Sequence, residues 1–235
     1  KGLSSVHTGV DLRKGVGTSF EIIFNTDVGA SDPLLIPGLF TKKGLSNYYV
    51  QQSENISELA LIDNWMIGTR TNISYSQEDI NNFRDKLRDQ YGRDYEQTWK
   101  TALTALDIRD FEDINHGTLI LDKIVGTERP LLKLLSLVQE NTQLAPVIPD
   151  EEKAKTTLLQ SHPYQLWAKL NNDFAALNRL TEEKSGKEGE ASVIYMEEVN
   201  LAIQNVYGLL KYIKDSQDIG QTALKTAKDR IQLND

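Results

Sequence analysis

The residues of this chain that could do chemistry are few and scattered. Its three histidines, His7, His116 and His162, stand far apart, and no His-x-x-x-His pair occurs, so a helical zinc site has no carrier. With no cysteine, disulfides, thiolate metal sites and thiol nucleophiles are excluded. Gly15-Val16-Gly17 lacks the third glycine of a dinucleotide-binding turn, and no Gly-x-x-x-x-Gly-Lys-Ser/Thr loop exists to cradle phosphates, so this segment reads as a plain turn. No Gly-x-Ser-x-Gly elbow or Ser-x-x-Lys pair offers a nucleophile. The carboxylate pairs Glu151/Glu152, Glu182/Glu183 and Glu197/Glu198 are adjacent in sequence, and neighbours on a helix diverge instead of converging on a substrate. Tyr91, Tyr95 and Trp99 fall at i, i+4, i+8, which could be a stacking ladder but is more simply a helix face packed in a core. The sequons at Asn55 and Asn72 carry no weight. No catalytic, cofactor-binding or metal-ligating residue is assigned. No cofactor and no small-molecule substrate are expected.

The elements that would have to position any site are mostly helical. The first seventy residues are punctuated by glycines, from Gly9 to Gly68, and by Pro33 and Pro37. Within them Phe20, Ile22 and Phe24 alternate with Glu21 and Asn25, which predicts a short strand. The apolar spacing between Leu45 and Ile67 predicts a helix stopped by Gly68. The clearest element begins at Ser76, where Ser-x-x-Asp with Asp79 marks a helix start. From Ile80 to Leu106 the apolar positions, among them Phe83, Leu87, Tyr91, Tyr95, Trp99 and Leu103, recur about every 3.7 residues. That spacing predicts one helix of about 45 Å with a face buried throughout, Arg84, Lys86, Arg88, Asp89 and Arg93 on its wetter sides and Gly92 as its weak point.

Further on, Leu119 to Val125 predicts a helix ended by Gly126, and Pro130 the first turn of the next, with Leu131, Leu134, Leu135, Val138 and Thr142 as its stripe. The two would form a hairpin. Pro146 and Pro149 make Leu144 to Pro149 a linker, after which Asp150 can cap a new helix. Pro163 restarts a helix bearing Leu166, Trp167, Leu170, Phe174, Leu177 and Leu180. Glu182 to Glu190 reads as a solvated loop. A final strong helix carries Met196, Val199, Ile203, Val206, Leu210 and Ile213, followed by a shorter one from about Asp218 to Leu233. The expected fold is mainly α, an irregular multi-helix bundle with a small β-element near the N-terminus. It divides into a mixed segment 1–70, a helical subdomain 71–145 and a C-terminal helical segment 146–235.

Charge and hydropathy limit the partners. With 26 basic and 34 acidic residues the net charge is -8, and no basic block interrupts the acidic background, so nucleic acid is not an expected partner. The longest apolar runs, Leu34 to Phe40 and Leu119 to Val125, are broken by Pro37, Gly38 and Asp122 and fall short of the roughly 20 residues a spanning helix needs. The chain begins at Lys1 with neither an initiator Met nor a signal segment, as a piece of a longer protein would.

Four ordered segments resemble a known family. Ile36-Pro-Gly-Leu-Phe-Thr-Lys-Lys-Gly44 is similar to the "PGLFT..G" signature of the IcmF/TssM/VasK family, and Asp63-Asn-Trp-Met-Ile-Gly68 to its "(D/E).WV(L)G". Leu87, Arg88, Tyr91, Tyr95, Trp99 and Leu103 resemble its "L...Y...Y...W...L" helix. Arg129-Pro-Leu-Leu-Lys-Leu-Leu-Ser-Leu-Val-Gln-Glu-Asn-Thr-Gln-Leu144 resembles "SPL..LL..V..NT.L", with Arg129 where a serine is common. From Pro163 to Asp235 only the general helical character matches.

The resemblance implies a non-enzymatic scaffold: the periplasmic region, after the last transmembrane helix, of an inner-membrane protein of type VI secretion systems. A related subgroup serves type IVB secretion. The implied partners are other copies of the same protein, an inner-membrane secretion partner and an outer-membrane lipoprotein. The family's NTPase-like domain and its "PGG..D.FF" signature are absent from this sequence, so neither nucleotide binding nor the main lipoprotein dock is carried over. The rival readings are a periplasmic protein that binds or hydrolyses cell wall, which would need converging carboxylates or exposed aromatics, and a helical adaptor of an unrelated cytosolic complex.

Overall fold

Ser76 opens the longest element. In the computed structural model, which describes residues 9–25, 32–50, 76–144, 156, 158–182 and 194–233, the first two helices are short, α1 over Leu12–Val16 and α2 over Phe20–Ile23, and the third, α3, spans Gln77–Thr104. Ser76 Oγ accepts from Asp79 N at 3.1 Å, and the Asp79 carboxylate accepts from Ser76 N at 3.0 Å. This reciprocal capping box satisfies donors that the helix start would otherwise leave open. The hydroxyl of Ser76, and then its amide, hold the Asp79 carboxyl below its ordinary value. The 28 residues extend about 42 Å.

Burial along α3 departs from the expected continuous stripe. Tyr91, Gly92, Tyr95, Trp99 and Ala102 are buried, whereas Ile80 and Leu87 are half-buried and Phe83 is 57% exposed. Only the second half of the helix is a core element. Arg88, expected on a wet side, is 18% exposed, because it pairs with Asp85 at 2.8 Å and Asp89 at 3.0 Å and donates to Gln165.

After α3 come α4 over Ile114–Val125, α5 over Pro130–Thr142, α6 over His162–Asp173, α7 over Tyr195–Lys214 and α8 over Ile219–Leu233. Their signals are local. Asp113 caps α4 through His116 N at 2.8 Å, Ser161 caps α6 through Tyr164 N at 3.3 Å, Pro130 opens α5, and Gly126 closes α4. The chain is therefore mainly α. Its described sheet is one antiparallel pair, β1 over Val10–Asp11 and β2 over Leu35–Ile36, in register Val10 to Ile36 and Asp11 to Leu35.

The expected strand at Phe20, Ile22 and Phe24 is instead α2. Phe20, Ile23 and Phe24 are buried while Ile22 is only half-buried, so the face follows i, i+3, i+4 and not i, i+2. Four apolar residues in five positions, Phe20, Ile22, Ile23 and Phe24, fit either period, and the capacity of the run to close a helical turn, with Phe24 N bonding Phe20 O at 2.8 Å, decided it. Phe24 then forms an isolated bridge with Ile108.

Two units divide the chain, each assembled from separate stretches. The first draws on Lys1–Leu12, Val28–Leu106 and Ser136–Asn178. Within it α3 and α6 lie side by side and run parallel, since His162 meets Asp85, Gln165 meets Arg88, and Lys169 meets Glu96. Gly92 is the closest approach: a Cβ there would come within 3.0 Å of Leu166 Cδ1, so the expected weak point is a packing site. The second unit draws on Arg13–Asp27, Asp107–Leu135 and Arg179–Asp235. There α4 packs on α7 and α2. Tyr207 donates to Asp122 at 2.8 Å, and Arg129 pairs with Glu197, which sets α4 and α7 antiparallel. The principal neighbour of α4 is thus α7, and not the α5 expected to form its hairpin. On α5 the buried positions are Leu134, Val138 and Thr142, with Leu135 half-buried. The segments expected as a linker at 144–149 with the Asp150 cap and as a loop at 182–190 lie largely outside the described residues, as does the helix expected between Leu45 and Ile67 beyond its first turn at Leu45–Tyr49. So do His7, Asn55, Asn72, Glu151, Glu152 and Glu183.

Candidate functional site

Pro37 ends β2 and starts a 3-10 turn over Gly38–Phe40, and this turn organises a densely bonded polar site of the first unit. Thr41 follows it. Its Oγ1 donates to Gly38 O at 2.8 Å and accepts from Gly44 N at 3.1 Å, folding the segment back on itself. Gly44 sits against the turn so tightly that a Cβ would collide with Gly38 O and come within 2.7 Å of Leu39 O. No flexible side chain is involved, so only glycine closes this loop. A helical turn over Lys42–Gly44 and a π-turn over Leu45–Tyr49 carry the chain on.

The carbonyls of this loop are taken up by α3. Tyr91 OH donates to Leu39 O at 2.5 Å, and Trp99 Nε1 donates to Phe40 O at 2.8 Å. One turn of helix lies between Tyr91 and Tyr95, and another between Tyr95 and Trp99, so all three polar tips fall on one face. Tyr95 OH turns to α5 instead, donating to Asn141 O at 2.5 Å. Asn141 completes the circuit by accepting from Lys42 N at 3.2 Å through Oδ1 and donating to Leu137 O at 2.9 Å. Beside it the Thr142 hydroxyl lies 2.9 Å from both Val138 O and the Asn178 amide, and Leu144 exchanges two bonds with the Asn171 side chain, at 2.6 and 3.2 Å.

An aromatic cluster surrounds these bonds. Phe40 lies 5.7 Å from Tyr91 and 6.2 Å, edge-on, from Tyr95, and Tyr49 stacks on Tyr91 at 4.4 Å. Burial keeps the phenols protonated. It pushes Tyr49 up to about 12, and Tyr91 and Tyr95 further still, so at neutral pH each keeps its hydroxyl proton. Tyr49 OH, though buried, has no hydrogen-bond partner among the described residues. The bonds fasten a loop, a long helix and the end of a third element into one body.

Among the described residues, the histidines, glycines and carboxylates that could do chemistry are not brought together. His116 Nδ1 accepts from Glu112 N at 3.3 Å at the start of α4, and His162 stands 3.3 Å from Asp85. Gly17, at φ +92, ends α1 in the left-handed region, where glycine is at ease, so Gly15 to Gly17 is a helix exit and not a nucleotide loop. Glu197 is paired with Arg129. No group of three or more His, Asp or Glu that could hold a metal occurs among the described residues.

Three of the four segments that carried the resemblance meet in this one site: the Pro37 to Gly44 loop, the Tyr91, Tyr95, Trp99 face and the Asn141, Thr142 pair. The fourth, Asp63 to Gly68, lies outside the described residues. A family described as IcmF-related, "Intracellular multiplication and human macrophage-killing", matches residues 2–143. The chain belongs to this family. The match spans the three meeting segments and ends beside Asn141 and Thr142, while α6, α7 and α8 lie beyond it. No curated protein and no solved structure matches. Family membership supports a component of a type VI or type IVB secretion system, from a membrane-associated family. Among the described residues, no helix is long and apolar enough to cross a membrane.

Proposed function

We propose that this IcmF-family chain is a non-enzymatic periplasmic scaffold region of the trans-envelope complex of a type VI secretion system, acting through protein-protein contacts. One observation carries the reading. The family-like segments meet in side-chain to main-chain bonds that fix shape, with the Tyr91, Tyr95 and Trp99 tips all engaged by main-chain carbonyls. Such a site supports a load-bearing body. Its working contacts are with other copies of the same protein, with an inner-membrane secretion partner and with an outer-membrane lipoprotein.

The absence of cysteine makes the location directly testable. Gly208 on α7 has nothing within 4 Å of an added Cβ, so Gly208→Cys, in a full-length protein with every cysteine outside these 235 residues replaced by serine, places one thiol at an undisturbed position. A membrane-impermeant maleimide admitted to the periplasm should label it in cells whose inner membrane is intact. Labelling only after that membrane is broken would place the region in the cytoplasm and end the proposal.

A further inference from the structure

Helix α8 has an apolar seam that nothing among the described residues covers. No residue from 219 to 232 is buried; Thr222, Ala223 and Thr226 are half-buried and the rest are exposed. Leu224 is 58% and Ile231 66% exposed. Of the fourteen large apolar side chains exposed among the described residues, eight lie on α7 and α8, so the exposure is concentrated in the last two helices. A helix of 15 residues is marginal in water without tertiary packing. The exposed positions are also ordered. Gly220, Leu224, Ala227 and Ile231 step by four, three and four residues, the spacing of a coiled-coil seam, and fall on a different side of the helix from Thr222, Ala223 and Thr226.

The flanks of the seam indicate its occupant. With Leu224 and Ile231 at the a positions and Gly220 and Ala227 at d, the e positions are Gln221 and Lys228 and the g positions Ala223 and Arg230. Basic residues stand on both sides of the seam and no acidic one does, in a chain whose net charge is -8. Asp229, the one acid of α8 between 219 and 233, lies on the far side of the helix. Two copies of the helix, over these residues, would form no salt bridge across the seam, whereas a helix with glutamates at its own e and g positions would meet Lys228 and Arg230.

We infer that α8 is a docking helix that receives an acidic amphipathic helix of a partner protein, seated on Leu224, Ala227 and Ile231 and oriented by Lys228 and Arg230. This rests on the scaffold reading, in which the chain works by protein contacts, and names the kind of contact one surface makes.

The test uses the whole chain and two labelled helical peptides with identical Leu and Ile seams, one with Glu and one with Lys at every e and g position. Fluorescence anisotropy should show the Glu peptide binding about tenfold or more tightly than the Lys peptide, with the difference shrinking as salt is raised. The variant Lys228→Glu/Arg230→Glu should reverse the order, and Leu224→Glu/Ile231→Glu should abolish binding of both. Circular dichroism checks that each variant is folded; should the apolar pair unfold the chain, the charge reversal decides alone. Equal affinity for the two peptides, no binding, or an unchanged order in the reversed variant overturns the inference. So does sedimentation showing the chain dimerising through the seam, with the dimer lost in Leu224→Glu/Ile231→Glu. Failure here would leave the scaffold reading standing, because that reading is judged separately by thiol labelling in cells.

Discussion

Tyr49 and Tyr95 carry the same hydroxyl into the same aromatic cluster, and the two should respond oppositely to its removal. Tyr95 OH holds Asn141 O, so Tyr95→Phe strands a buried carbonyl and should cost about 1 to 2 kcal/mol. Tyr49 OH is buried without a partner among the described residues, so Tyr49→Phe should be neutral or mildly stabilising. Urea midpoints of the two variants give the comparison directly. Trp99, fully buried and bonded to Phe40 O, should cost about 3 to 5 kcal/mol when replaced by Ala.

The phenols also set an alkaline limit. Burial raises Tyr91 and Tyr95 above the ordinary value of 10.0, so once the pH passes that value the unfolded chain releases protons that the folded chain keeps. Their contribution to stability is complete below pH 10.0 and is lost as the pH rises towards their folded values. Melting temperature should fall steeply on that side, and less steeply in Tyr91→Phe. A parent and a variant with superimposable alkaline profiles would show that Tyr91 ionises freely.

Among the elements, two glycines in helical segments make opposite predictions. Gly44→Ala drives a Cβ into main-chain carbonyls that cannot rotate away, and should cost about 3 kcal/mol. Gly208, inside α7 with open space around it, should gain about 1 kcal/mol as alanine because the helix loses its most flexible residue. Thermal unfolding of the two variants separates a glycine needed for closeness from one that is not.

The helices themselves were legible because their signals are short-ranged. The Ser76 to Asp79 box, Pro130, Gly126 and the apolar spacing of α6 act over three or four residues. The errors arose where range or count failed: two-residue strands such as Leu35–Ile36 show no period, and Phe20 to Phe24 is too short to choose one. The loop lock was illegible for another reason. Tyr91 and Trp99 bond to the carbonyls of Leu39 and Phe40 across more than fifty positions, and every residue carries a carbonyl, so the acceptor leaves no trace in side-chain identity. The resemblance named the right residues without the reason they act together.

At the scale of the whole molecule, the family match and the folding units do not coincide. Residues 2–143 hold the matched region, yet the buried partners of α3 include Leu166 and Leu170 of α6, and α4 packs on α7. A fragment ending at residue 143 should therefore fail to unfold cooperatively; a sharp melt with the parent's near-ultraviolet dichroism would contradict the packing described. The proposed contacts can be tested at the same scale. Calorimetric titration of the outer-membrane lipoprotein into the 235-residue chain should give weak binding or none, because the family's lipoprotein dock is expected on a further β-rich domain. Submicromolar binding would move that dock onto these helices.

The alternation of the two units along the chain also sets a timetable for synthesis. A polypeptide delivered from its amino end supplies Arg13–Asp27 early, but the rest of that unit arrives only with Asp107–Leu135 and with everything after Arg179. The first unit, complete once Asn178 has emerged, can close while the second still waits. During that interval the apolar side chains of α2, Phe20 and Ile23 above all, have no finished core to enter. They are the segment a holding chaperone would meet first, and the place where a stalled chain would begin to aggregate.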